Sequence, residues 1–323
     1  MNVQYQRLGE LASSSTTTRW PDFVIIGSGK SGTTSLDHYI NQHPEIFMSP
    51  FKEPNFFGFE LMNENDFVND PNELSYFKSS ITNQEQYLQL FQNSSQTQKV
   101  GETSNTYMFH RDACQQLHYH IPNVKIIAIL RQPTERLYSR FLHLARVGRL
   151  PTENFKDCLD KNNKIWWSRN DLIKEGFYYK HLTKYFKTFR PENIKIFFFE
   201  ELANNPDKLM KDLYEFIGVD SSFEPDMSFK LNSSGYIKNK FYDSIFGEAK
   251  GLIKSSRALL PNCLYSRLKK NHFALKLKNR IREKNLHRPK LEIDLKKQVT
   301  EIYSDDITNL SRMINKDLSH WLC

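Results

Sequence analysis

A chain of 323 residues, 39% apolar and 13% aromatic, has material for a substantial buried core, as one large α/β domain or two smaller ones. No self-similarity at a period of roughly twenty to fifty residues is visible, which excludes solenoids and propellers. The formal net charge of +8 suits an anionic ligand without separating nucleotide, nucleic acid, membrane surface and sulfated glycan.

Residues 1–19 end in the polar tract S-S-S-T-T-T-R and read as an unstructured lead without an apolar signal region, so the domain is expected to begin at Trp20 and run to residue 323. The apolar run Phe23–Ile26 reads as a buried strand. A loop with Gly27, Gly29 and Gly32 follows, and Leu36, Tyr39 and Ile40 then fall at helical spacing up to Pro44. Strand, glycine loop and helix N-terminus make a phosphate cradle, with Lys30 as a mobile cation beside it. The glycines satisfy G-x-G-x-x-G, but the second strand ending in an acid that a dinucleotide fold wants is missing, and prolines break up the stretch around Glu45 to Glu53. The G-S-G-K-S core looks like a Walker A loop, yet Val24 stands where that motif needs its first glycine.

Two prolines fix the loop S-P-F-K-E-P-N-F-F, which is expected to hold Lys52 and Glu53 rigidly extended; the same dipeptide also reads as a surface ion pair. Residues 61–99 read as a polar loop followed by a short helix bordering an entrance. Val124–Leu130 is a second buried strand. It ends at Arg131, not at the acid a metal-binding Walker B strand requires, and R-Q-P-T-E-R-L-Y-S opens a helix. Residues 146–175 are polar and helix-prone, with Trp166 and Trp167 read as packing. The stretch 176–189 is a packed helix, Ile194–Phe199 a third strand followed by Glu200 and Glu201, and 206–217 an amphipathic helix closed by Gly218. Between Lys238 and Lys297 stand seventeen Lys or Arg against five acids, read as a solvated basic face of which a few residues meet phosphate. The four cysteines, Cys114, Cys158, Cys263 and Cys323, lie far apart with no C-x-x-C pair, so no zinc site or disulfide framework is indicated and a reducing compartment fits. No apolar run approaches the roughly eighteen residues of a membrane span.

The order P-D-F-V-I-I-G-S-G-K-S-G-T-T-S-L, H-P-E-I and K-E-P-N-F-F resembles the opening of the sulfotransferases that use 3′-phosphoadenosine 5′-phosphosulfate (PAPS), particularly the glycosaminoglycan-type branch and its bacterial relatives. The resemblance implies that Lys30, Ser31, Gly32, Thr33, Thr34 and Ser35 grip the 5′-phosphosulfate, and that Glu53 takes the proton from the acceptor. The segment 131–139 resembles the family's R-x-P-x-x-R-x-x-S element, which implies that Arg131 and Ser139 hold the 3′-phosphate while Arg136 is structural. G-E-T-S-N-T-Y resembles a further element, so that Glu102, Ser104 and Tyr107 either line the acceptor side or brace a strand end. The loop 229–241 resembles one that folds over the nucleotide, so Ser234, Gly235 and Lys238 either contact it or form an ordinary N-S-S-G turn. Some glycosaminoglycan members carry an acid where Gly58 stands here, a departure that counts against a heparan-like acceptor.

The expectation is a single P-loop-like α/β domain with a mainly parallel central sheet flanked by helices. Its strand ends surround PAPS, which serves as co-substrate without a metal. The sulfuryl group passes to a hydroxyl or amine of a glycan or small metabolite, leaving 3′-phosphoadenosine 5′-phosphate (PAP), in a soluble cytoplasmic protein with no nucleic-acid partner. A P-loop nucleoside-triphosphate phosphotransferase or ATPase is the second reading, carried by Glu200 and Glu201 as possible metal-holding acids. A nucleic-acid module using the basic stretch is the third, and it gives the cradle no role.

Overall fold

The computed structural model describes residues 19–228, 236–237 and 286–323. Its centre is a sheet of five parallel strands, β1 (Phe23–Gly27), β2 (Ile46–Met48), β3 (Lys99–Thr103), β4 (Lys125–Leu130) and β5 (Ile194–Phe198), in the spatial order β2-β3-β1-β4-β5. The chain leaves β1 to build β2 and β3 on one side and returns to build β4 and β5 on the other. That reversal opens a crevice at the carboxyl ends of β1 and its neighbours, where open α/β sheets bind ligands.

β1, β4 and β5 fall where the apolar runs predict them. The sequence reading missed β2 and β3 as strands. β2 has three residues, too few for a period to show, and β3 contains Gly101, a poor strand former. Gly101 pairs with Phe23 on β1, and a Cβ there would come within 2.2 Å of that ring. The glycine is a packing requirement imposed from a distant part of the chain.

The helices before the first undescribed gap are α1 (Thr33–Ile40), α2 (Phe56–Phe59), α3 (Pro71–Ser79), α4 (Gln84–Gln89), α5 (Ala113–His120), α6 (Pro133–Arg146), α7 (Lys164–Ser168), α8 (Tyr178–Thr188), α9 (Phe199–Asn204) and α10 (Pro206–Ile217). Alternate residues of each central strand face opposite layers. Phe23, Ile25, Ile127 and Ile129 pack with Leu36 and Ile40 of α1 and Leu213 and Ile217 of α10. Val24, Ile26, Ile126 and Ala128 pack with Leu117 of α5, Leu137 and Phe141 of α6 and Tyr185 of α8. The helices Ile293–Glu301 and Ser304–Met313 complete that second layer through Val299, Ile307 and Leu310.

Local signals set the helix ends. Pro133 opens α6 while the Gln132 side chain accepts the Glu135 N–H at 2.7 Å. Pro206 opens α10, and Gly218, at φ +87°, ends it in the left-handed conformation that favours glycine. Residues 146–175 hold short turns and α7 in place of the longer helix their composition suggests, and Trp166 is buried against Phe141 and Phe155. Tyr236–Ile237 and Leu286–His287 form a small antiparallel pair beside α6.

Candidate active site

The carboxyl ends of β1, β3, β4 and β5, together with the loop after β2, all deliver residues to one cleft of about 530 Å³. After β1 come Lys30, Gly32, Thr33, Thr34 and Ser35; after β2, Glu53; after β3, Asn105 and Thr106; after β4, Arg131; after β5, Phe199. Ser139, Arg140, His143 and Arg146 line the same cleft from one face of α6, and Arg288 joins them from the far end of the chain. Eight of the residues proposed from sequence are therefore neighbours: Lys30, Gly32, Thr33, Thr34, Ser35, Glu53, Arg131 and Ser139. Ser234, Gly235 and Lys238 lie outside the described residues.

The loop is wound tightly. Lys30 sits at φ +70° and Gly32 at φ +96°, and a Cβ on Gly32 would meet Leu202 at 2.9 Å. Ser31 departs from expectation: it is fully buried and does not line the cleft, and its hydroxyl pairs with that of Ser28 at 2.6 Å. Two backbone donors of the loop are likewise turned inward. The Gly29 N–H donates to the Glu175 carboxylate at 2.6 Å and the Ser31 N–H to the Ser28 carbonyl at 3.3 Å. What faces the cleft is the start of α1 and the side chains of Lys30, Thr33, Thr34 and Ser35.

Glu53 is held differently from the extended loop its flanking prolines suggest. Its φ is +58° and that of Asn55 is +54°, both unusual for residues with a side chain. Tertiary hydrogen bonds hold them there: Glu53 N–H donates to Thr103 O at 2.9 Å, and Asn55 N–H to Ser104 Oγ at 3.0 Å. Thr106 Oγ1 donates to Asn55 Oδ1 at 2.7 Å. The Glu53 carboxylate accepts from Asn105 Nδ2 at 2.9 Å and stands 3.5 Å from Lys52 Nζ, which itself donates to Thr34 Oγ1 at 2.8 Å. The carboxylate is thereby aimed into the cleft, one lysine away from the loop after β1.

Glu102, Ser104 and Tyr107 are fully buried and do not line the cleft, so of their two readings the bracing role fits. Burial raises the Glu102 carboxyl to about 7; it accepts from Ser104 Oγ at 2.8 Å and Tyr87 Oη at 3.3 Å. Ser104 passes that support to Asn55, and so to the Glu53 loop. Gly58 is explained by contact, since a Cβ there would meet the His110 ring at 3.3 Å.

Arg131 leaves β4 with its guanidinium 4.6 Å from the centre of the Phe199 ring and 3.4 Å from Glu135. Burial pulls its pKa down, and at neutral pH it remains a cation. Arg136, one turn on, is wholly buried and pairs with Glu175 at 2.8 Å, the structural role expected of it. The sequence reading did not single out Arg140, His143, Arg146, Arg288 or Tyr76. The first three share the helical spacing of Ser139, a signal available in sequence, whereas Tyr76 and Arg288 reach the cleft only through the fold. Burial holds the Tyr76 phenol near a pKa of about 12, a neutral hydroxyl on the wall.

Glu201, one of the two acids after β5, is occupied: it accepts the Phe198 N–H at 2.9 Å and pairs with Lys316. Among the described residues no group of three or more His, Cys, Asp and Glu side chains is placed to hold a metal ion. Also among them, no helix is long and apolar enough to cross a membrane. The cleft is thus a cationic one, with lysine, arginine and helix-start donors at a sheet's switch point and a clamped carboxylate opposite.

A family model described as the sulfotransferase domain matches residues 20–303. The chain belongs to the PAPS-dependent sulfotransferase family. The chain is 25% identical over 284 residues to the bifunctional heparan sulfate N-deacetylase/N-sulfotransferase 1 of Caenorhabditis briggsae, covering 79% of this chain and 31% of that protein. To the human bifunctional heparan sulfate N-deacetylase/N-sulfotransferase 2 it is 26% identical over 212 residues, covering 63% and 22%. The chain spans less than a third of the length of these relatives. Its fold is similar to the crystal structure of a sulfotransferase from Alicyclobacillus acidocaldarius, with a TM-score of 0.68 at 26% identity over 94% of this chain and 99% of that one. The family assignment displaces the phosphotransferase reading.

Proposed function

We propose that this sulfotransferase, folded as one domain from residue 20, binds PAPS with the phosphosulfate on Lys30 and Gly32–Ser35 and the 3′-phosphate between Arg131 and Ser139. Glu53 takes the proton of the acceptor nucleophile. The single observation that carries the reading is that both cations and the clamped carboxylate line one cleft at the strands' carboxyl ends. That donor set fits an anionic nucleotide: a mobile ammonium and helix-start donors at one end, and a planar guanidinium with a hydroxyl at the other. When bound, PAPS supplies an activated sulfuryl group. As the acceptor oxygen or nitrogen bonds to sulfur, Glu53 accepts its proton, and Lys30 neutralises charge building on the phosphate oxygen that leaves with PAP. Lys52, touching both Thr34 and Glu53, keeps the donor loop and the base in register.

The acceptor in this proposal is a carbohydrate hydroxyl or amine, or a small metabolite bearing one. The heparan sulfate N-sulfotransferase relatives favour a sugar amine, and Gly58, packed on His110 where an acid stands in some members, counts against a heparan chain itself. A reducing, cytoplasmic setting fits the free thiols of Cys114 and Cys158, both buried in the core. The test is transfer of labelled sulfate from PAPS to a panel of amino sugars, oligosaccharides and small alcohols. Glu53→Gln is expected to lower acceptor-dependent turnover by about 10²- to 10⁴-fold while leaving PAP affinity within twofold. Undiminished turnover in that variant would remove Glu53 from the chemistry.

A further inference from the structure

The donor loop rests on a floor made by residues 175–178. Glu175 is wholly buried, more than a hundred residues from the loop in sequence, and its Oε1 accepts the Gly29 N–H at 2.6 Å. Its Oε2 is 2.8 Å from Arg136 Nη1 and 3.7 Å from Arg140 Nη2. Three residues on, Tyr178 accepts from Ser28 Oγ at 3.3 Å and donates to the Arg131 carbonyl at 2.8 Å. One short segment therefore touches the loop at two residues and the backbone of the arginine assigned to the other end of the nucleotide.

The arrangement is unusual for an anion cradle. A glycine N–H that stands ready for a phosphate is instead given to a carboxylate, whose charge would repel the ligand unless compensated. Arg136 and Arg140 supply that compensation from the same buried cluster. Gly29 is fitted to it as well: a Cβ there would lie 2.9 Å from Glu175 Oε1 and 3.4 Å from Arg140 Nη2.

We infer that Glu175 is a positioning residue for sulfuryl donor binding: by holding the Gly29 N–H it fixes the turn that presents Lys30 and the start of α1 to the phosphosulfate. It touches no reacting atom. The inference rests on the reading that this loop holds the donor. Arg140 ties the same carboxylate to the cleft wall, since its guanidinium lines the cleft beside Glu53 and Tyr76. Disturbing Glu175 should therefore be felt first at the donor and only weakly at the acceptor.

The test measures PAP affinity by calorimetry and the KM values for PAPS and acceptor in the full chain, its Glu175→Gln and Gly29→Ala variants, and the double variant. Glu175→Gln keeps the size and an oxygen but removes the charge. It is expected to weaken PAP binding and raise the PAPS KM by about tenfold or more, with the acceptor KM within twofold. Gly29→Ala pushes against the same carboxylate without removing its charge and is expected to do likewise; it carries the test if the Gln variant does not fold. The double variant is expected to lose no more than the worse single one, because both weaken the same contact. Wild-type PAP affinity in Glu175→Gln, or losses that multiply in the double variant, would overturn the inference while leaving the donor site standing. Failure of the unmodified chain to bind PAP would instead overturn the reading of the loop.

Discussion

Glu53 holds a backbone conformation that costs side-chain-bearing residues on the order of 1 kcal/mol or more, and the contacts of Thr103, Ser104 and Thr106 keep it there. Its carboxylate owes its direction to Asn105, whose amide donates at 2.9 Å. Asn105→Ala is expected to lower kcat by roughly tenfold with PAP affinity unchanged, as steady-state kinetics beside calorimetry will register. His110 offers a second residue-scale outcome, on stability. Burial between Phe59 and Gly58 pushes its imidazole down to about 4 from an unfolded value near 6.5, so between those pH values the unfolded chain takes up a proton that the folded one refuses. The folded state loses stability as pH falls through that window, by up to about 3 kcal/mol from this group. In His110→Phe, chemical denaturation at pH 7 and pH 4.5 should show a smaller acid-induced loss than the unmodified chain; an unchanged difference would exclude His110 as the cause.

At the scale of elements, what reads locally was legible and what is imposed from elsewhere was not. The β1 run, the loop glycines, Pro133, and the Asn205-Pro206 start and Gly218 end of α10 each carry their own signal, and the elements lie where those signals put them. β2 and β3 gave none, because β2 is brief and Gly101 in β3 answers to Phe23 across the sheet. Gly101→Ala is expected to destabilise the domain by about 1–3 kcal/mol or more through overpacking, seen as a lower denaturation midpoint. PAP affinity of the folded fraction should stay near normal, since the residue lies upstream of the cleft. The site divides in the same way. Lys30, Glu53, Arg131 and Ser139 were readable from motif order; the inward turn of Ser31 and the floor supplied by Glu175 depend on contacts spanning much of the chain.

Across the whole molecule, the order β2-β3-β1-β4-β5 brings five separate strand ends to one cleft. The loop after β1 and the arginine after β4 stand side by side because β1 and β4 are neighbours in the sheet, and Arg131 Nη1 lies 3.5 Å from the Lys30 carbonyl. The hundred residues between them in sequence thus collapse to a few ångströms across the sheet. Positive charge is concentrated on this rim through Lys30, Arg131, Arg140, Arg146 and Arg288. The central claim is that the two ends of one nucleotide are held by these two adjacent strands, and it is tested most directly by comparing PAP with ADP, which lacks the 3′-phosphate. The unmodified chain is expected to bind PAP about 10- to 100-fold more tightly than ADP, and Arg131→Ala to abolish that preference while weakening ADP little. Equal affinity for the two nucleotides, or a preference that survives the loss of Arg131, would contradict the account.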